Sequence, residues 1–204
     1  GFSNAFTHLR TGRTADNKLA LLTAILADGI NLGLTRMADV SPGLTMRQLA
    51  WAHDWHIREE GYTAAHAILV NAQRQLPLAG LWGDGTTSSS DGQYFPAGGH
   101  AEAIGDLNAR YGPNPGAKFY RFTSDQYGAF HIIAMNANAS EAIYVLDGLL
   151  YHGSDLAIET HYVDTGGVSD MSFALCHLVG FQLVPRLRGL KDRKLYLFPG
   201  DTPP

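Results

Sequence analysis

The sequence predicts a mixed α/β chain in which a helical first third leads into a strand-rich remainder with interleaved helices. Two observations carry this reading. Leu19, Leu21, Leu22, Ile25, Leu26, Ile30 and Leu34 recur at three- and four-residue spacing, the period of one helix face. From Leu78 onward the pattern changes to short β-prone runs cut by clusters such as Gly98-Gly99 and Gly112-Pro113-Asn114-Pro115-Gly116. The change divides the chain into a helical support region over 1–77 and a second unit over 78–204.

The first helix follows the apolar stripe from a cap at Asp16. A second is expected through Arg47 to His56 and a third from Thr63 to Gln75, ended by Leu76-Pro77. Strands are expected at Leu81 to Asp84, Ser88 to Phe95, Lys118 to Ser124 and Phe130 to Asn136, where β-branched and aromatic residues cluster between turn signals. Asp125-Gln126-Tyr127 reads as a hairpin turn. A helix capped by Ser140 runs to about Tyr151, then a strand from Thr160 to Asp164, a helix from Ser169 to Val179, and strands at Gln182 to Pro185 and Lys194 to Phe198. β-rich segments, a helix, a strand bearing an Asp, then another helix and strand is the order of an RNase H-like mixed sheet. In that arrangement the first long strand lies beside the strand after the first helix, so Asp91 and Asp164 would meet.

The chain has 204 residues, 45% hydrophobic and 17% charged, an ordinary composition for a folded protein. No run of about 18 apolar residues exists to suggest a membrane span, and no charged-then-apolar leader opens the chain. Its ends read as edges of something longer. Cys176 stands alone, which excludes an intrachain disulfide and fits a reducing cytoplasm; its apolar surroundings suggest packing. The net charge of −4 runs against a broadly basic nucleic-acid-binding surface, but charge can be local. Arg186, Arg188, Lys191, Arg193 and Lys194 crowd one segment, either as a solvated strand end or as a phosphate-contacting patch.

Two Gly-rich acidic stretches carry the chemistry: Trp82-Gly83-Asp84-Gly85 through Ser90-Asp91-Gly92-Gln93, and His161-Tyr162-Val163-Asp164-Thr165-Gly166-Gly167. Carboxylates brought together from distant parts of a chain repel one another, and a hard cation compensates them. Mg²⁺, or Mn²⁺ in its place, takes oxygen ligands of this kind. Each acid also has a plain structural reading, Asp-Gly as a turn and Asp164 as a helix cap. Asp91 would lie within its strand, with Gly92 leaving room for metal and phosphate. Asp84 would precede the strand and is the alternative first acid. Ser88, Ser89 and Ser90 lack a Gly-x-Ser-x-Gly elbow and read as a polar strand edge. His53 and His56 lack the partners of a zinc motif.

The wording of the chain resembles the Tn-three family of replicative transposases, DDE-type enzymes, over nearly its whole length. The resemblance rests on Asn4 to Gly12, Ala27 to Met37, Trp55-His56-Ile57-Arg58-Glu59-Glu60, Asp84 to Gln93, Thr123 to Tyr127, Tyr144 to His152, Asp164-Thr165-Gly166-Gly167, Phe173 to Phe181, and Pro185-Arg186-Leu187-Arg188. It implies metal-dependent nicking and strand transfer at transposon ends, with Asp91 and Asp164 as catalytic metal ligands. It implies DNA as partner, and a homodimer for the full-length protein. The family's third acid, a Glu, lies further downstream than this chain reaches, and neither Glu141 nor Glu159 matches it, so the catalytic core is expected to be incomplete and inactive alone. Ile133 stands where the family usually has Lys, and Thr160 where it usually has Glu.

Overall fold

The computed structural model describes residues 1–96, 107–192, 194 and 199–200. Four helices come first: α1 (Lys18–Gly29), α2 (Leu34–Val40), α3 (Met46–His56) and α4 (Glu59–Arg74). The cap of α1 is Asn17, not Asp16: its side chain accepts from the Ala20 N–H at 3.0 Å. The helix stops because Asn31 turns left-handed at φ 52°, letting Leu32 N–H reach Ala27 O and Asn31 N–H reach Asp28 O. The stripe therefore breaks before Leu34, which opens α2 instead. It also faces outward in part. Leu19, Leu22, Leu26 and Ile30 are exposed, while Ala20, Leu21, Ala24 and Ala27 are buried. A face of small residues lets α1 lie close against α3. A reciprocal Thr45–Gln48 capping box starts α3.

A five-stranded sheet follows, ordered β3-β2-β1-β4-β5. Strand β1 (Thr87–Pro96) is antiparallel to β2 (Gly116–Ser124), which is antiparallel to β3 (Ala129–Met135). Strands β4 (Thr160–Val163) and β5 (Gln182–Pro185) extend the other side in parallel. This is the RNase H-like order read from the sequence. Helix α5 (Val145–Leu150) precedes β4, and α6 (Asp170–Leu178), started by a Ser169–Ser172 capping box, precedes β5. Gly180, at φ 91°, closes α6 and turns the chain into β5.

Two expected elements differ. Leu81 to Asp84 is not a strand: a 3-10 turn covers Ala79–Leu81, and the Asp84 carboxylate then accepts from the Thr86 N–H and hydroxyl, which bends the chain. The helix expected from Ser140 is split into a 3-10 turn, Glu141–Ile143, and α5, and Ser140 makes no side-chain cap. The strand expected at Lys194 to Phe198 lies, apart from Lys194, outside the described residues.

The sheet core gathers Tyr120, Phe122, Phe130, Met135, Val163 and Leu183 with Val145 and Leu149 of α5 and Cys176 of α6. Gly148 lets α5 lie on the Phe122 ring, because a β-carbon there would overlap it. Val70 of α4 belongs to the same core, and Gln73 Nε2 donates to Gln126 O at 2.9 Å in the β2–β3 turn. The helical part is thus packed and hydrogen-bonded to the sheet edge. Among the described residues no helix is long and apolar enough to cross a membrane.

Candidate active site

Strand alternation decides which side chains meet. Along β1, Ser88 and Ser90 are buried while Ser89, Asp91 and Gln93 are exposed. The parallel register ends at Ser90 opposite Val163, so Asp91 and Asp164 are the next residues on two adjacent strands. Both residues are exposed, whereas Ser90 and Val163 are buried. Neighbouring strands run about 4.8 Å apart, a separation at which two carboxylates share one neighbourhood. Asp91 pairs in register with Arg121 of β2, and the two line a cleft of about 190 Å³ with Ser89, Gln93 and Thr123.

Asp164 is held by its own turn. Its Oδ1 accepts from Gly166 N–H at 2.8 Å and Gly167 N–H at 3.0 Å, so the strand end is fixed by the 3-10 turn Thr165–Gly167. Asp91 Oδ1 accepts from Gly92 N–H at 2.8 Å. Asp84 lies apart from both. It precedes Thr87, which pairs with Thr160, so it stands at the opposite end of the β1–β4 ladder from Asp164. The Thr86 hydroxyl and N–H hold its exposed carboxyl below the usual carboxylate range.

Beneath the acids runs a buried polar network for which the sequence reading had no role. The His161 ring, fully buried, meets Ser88 Oγ at Nδ1 and Ser90 Oγ at Nε2, both at 2.8 Å. Ser90 donates to Tyr120 Oη at 2.6 Å. In the neutral ring one of these nitrogens donates and the other accepts, so both serine hydroxyls are engaged. Burial pushes His161 down to about 4 from 6.5. The serines are therefore not a polar edge, because β1 is the central strand and two of the three point into the core. Burial also raises the Tyr120 phenol; the Ser90 hydrogen bond opposes this, and the negative charges of Glu141, Asp164 and Asp91 add to it.

Glu141 and Lys118 form a second buried element. Lys118 Nζ lies 2.5 Å from Glu141 Oε1, and the residues are 7% and 8% exposed. A β-carbon at Gly92 would overlap Glu141 Oε1 and come within 2.6 Å of Lys118 Cε. The room at Gly92 is thus filled from within by this ion pair, not left for metal and phosphate. At Gly166 a β-carbon would stand 3.5 Å from Glu141 Oε2.

The basic segment begins beside Asp164. Arg186 N–H donates to Val163 O at 2.8 Å, and Thr165 Oγ1 donates to Arg186 O at 3.1 Å. Arg186, Leu187 and Arg188 line a cleft of about 290 Å³ with Asp164 and Thr165. Lys191, in the 3-10 turn Leu190–Asp192, and Lys194 are exposed; Arg193 lies outside the described residues. His53 and His56 do not converge: His53 Nε2 is 3.5 Å from Asp28, and buried His56 meets Phe6 O through Nδ1. Among the described residues no group of three or more His, Cys, Asp or Glu could hold a metal ion.

A mixed sheet in this strand order is an RNase H-like core, and Asp91 and Asp164 stand one residue past its β1–β4 ladder. The chain matches the Tn3 transposase DDE domain over residues 1–204 and belongs to that family. It is 55% identical over 202 residues to the transposase for transposon Tn3926 of Escherichia coli, covering 99% of this chain and 20% of that protein. Against the transposase for transposon Tn501 of Pseudomonas aeruginosa it is 56% identical over 197 residues, covering 97% and 20%. The chain therefore spans about a fifth of the length of these relatives. Among solved structures, the piggyBac transposase synaptic complex with hairpin DNA aligns at a TM-score of 0.42 and 10% identity, covering 85% of this chain and 41% of that one.

Proposed function

We propose that this chain is the part of a Tn-three transposase that supplies two acids, Asp91 and Asp164, to a divalent-metal site for DNA strand nicking and strand transfer at transposon ends. The observation that carries the reading is the β1–β4 register, which ends one residue short of both acids, each of them exposed. Asp84 is disfavoured as first ligand because it belongs to the other end of β1.

Two adjacent carboxylates are hard oxygen donors, which suits Mg²⁺ or Mn²⁺. A bound ion of this type would supply charge stabilisation for an in-line displacement at phosphorus. The chain's own part is positioning. The Gly166 and Gly167 N–H groups engage one oxygen of Asp164 and orient the carboxylate, and Arg121 sets a positive charge across from Asp91. Arg186, Arg188, Lys191, Arg193 and Lys194 are the proposed DNA contacts, and a homodimer is the proposed assembly of the full-length protein. With only two acids proposed as metal ligands, the chain alone is expected to bind an ion weakly and not to cut.

Mn²⁺ calorimetry tests this. Asp164→Asn keeps an oxygen for the two glycine donors, so the fold should survive while Mn²⁺ affinity falls at least about tenfold. Asp91→Asn should do the same, and Asp84→Asn should leave affinity at the parent value. Loss of binding on Asp84→Asn with retention on Asp91→Asn would refute the assignment. In the full-length transposase the Asp91 and Asp164 variants should also lose DNA nicking.

A further inference from the structure

We infer that Glu141 is a positioning residue for the acid pair: clamped by Lys118, its carboxylate ties the strand of Asp91 to the turn of Asp164. The inference rests on the metal-site reading above only for its functional consequence. The geometry stands by itself. Oε1 faces Gly92, the residue after Asp91, and Oε2 faces Gly166, whose N–H donates to Asp164. One buried side chain thus lies between the two segments that carry the candidate ligands, against Gly92 and near the Gly166 turn.

The charges explain why a lysine is built in. A third carboxylate beside Asp91 and Asp164 adds repulsion, and a buried carboxylate without a partner is costly. Lys118 compensates it inside the fold, which leaves the outer pair free to attract a cation from solvent. A β-carbon at Gly92 would overlap the Glu141 carboxylate, so the small residue after Asp91 is accounted for by space as much as by backbone freedom. Removing the tether frees the Thr165–Gly167 turn and loosens the orientation of Asp164. Partners that orient a metal ligand typically alter affinity by about 10- to 100-fold when lost.

The test compares the parent chain with Glu141→Ala and with Glu141→Ala/Lys118→Met, the latter removing both buried charges so that an unpaired lysine does not unfold the protein. Amide hydrogen exchange at Gly166 and Gly167 is read by NMR beside Mn²⁺ affinity by calorimetry, with α4 amides as the reference for global stability. Exchange at the two glycines at least about tenfold faster, α4 unchanged and Mn²⁺ affinity at least about tenfold weaker is the expected result. Glu141→Asp, which keeps the charge but is too short to span both segments, should behave like the neutral variants; recovery of parent behaviour would show a charge effect and overturn the tether. Unchanged exchange at both glycines, or unchanged Mn²⁺ affinity, overturns it as well. If the parent binds no Mn²⁺, the metal-site reading fails, and glycine exchange alone then decides whether Glu141 holds the turn.

Discussion

Acidification should weaken this fold through one side chain, His161. The unfolded chain takes up a proton at an imidazole near 6.5, whereas the folded chain holds the fully buried His161 neutral down to about 4. Its contribution is therefore complete above 6.5 and is lost as pH falls from 6.5 towards 4, because the unfolded state binds the proton first. The full displacement corresponds to about 3 kcal/mol, and about 2 kcal/mol of it is lost between about pH 7 and about pH 5. Burial also lowers His66, His131 and His152, which act in the same direction, so the parent's total slope is not diagnostic. Subtracting the slope of His161→Phe isolates the site. Phenylalanine fills the space beside Phe122, which stacks on the imidazole at 5.5 Å, and its cost to Ser88 and Ser90 does not vary over this pH range. Urea unfolding at a series of pH values should show the variant losing about 2 kcal/mol less than the parent between about pH 7 and about pH 5. Identical slopes would refute the reasoning, as would an NMR titration of His161 with a midpoint near 6.5 in the folded chain.

Gly148→Ala drives a methyl into the Phe122 ring and should cost about 1–3 kcal/mol in urea unfolding, and an unchanged midpoint would mean that α5 can shift freely. Arg186→Ala and Arg188→Ala in the full-length transposase should each weaken DNA binding and reduce the slope of log affinity against log salt by about one if each meets a phosphate. Unaltered salt dependence would assign the segment to a solvated strand end.

Sequence patterning located the sheet because its strands are bounded by strong turn signals. Gln182–Pro185 is read to the residue, and Ser88 to Phe95, Lys118 to Ser124 and Phe130 to Asn136 to within one or two. The side-by-side arrangement of Asp91 and Asp164 was legible for the same reason, since strand order alone makes their strands neighbours. Leu81 to Asp84 misled because its apolar pair precedes an Asp that bonds the backbone two residues on, a local contact that outweighs β propensity. The inward serines were readable in principle: Ser88 and Ser90 share the alternation that turns Asp91 outward. The Glu141–Lys118 pair was not readable, because it depends on a register between β2 and a 3-10 turn that no local pattern encodes.

The parallel β1–β4 ladder also bears on when the acid pair comes into being during folding. Strands β1 to β3 follow one another as antiparallel neighbours, whereas Asp91 and Asp164 are more than seventy residues apart in the chain. Closing so long a loop is entropically costly and tends to be late, after local pairings have formed. A nascent chain that has made only the three-stranded meander carries Asp91 on an edge strand with no Asp164 beside it. The acid pair therefore forms only once β4 has docked and His161 has entered between the serines, so that its appearance reports the docking of β4 on β1.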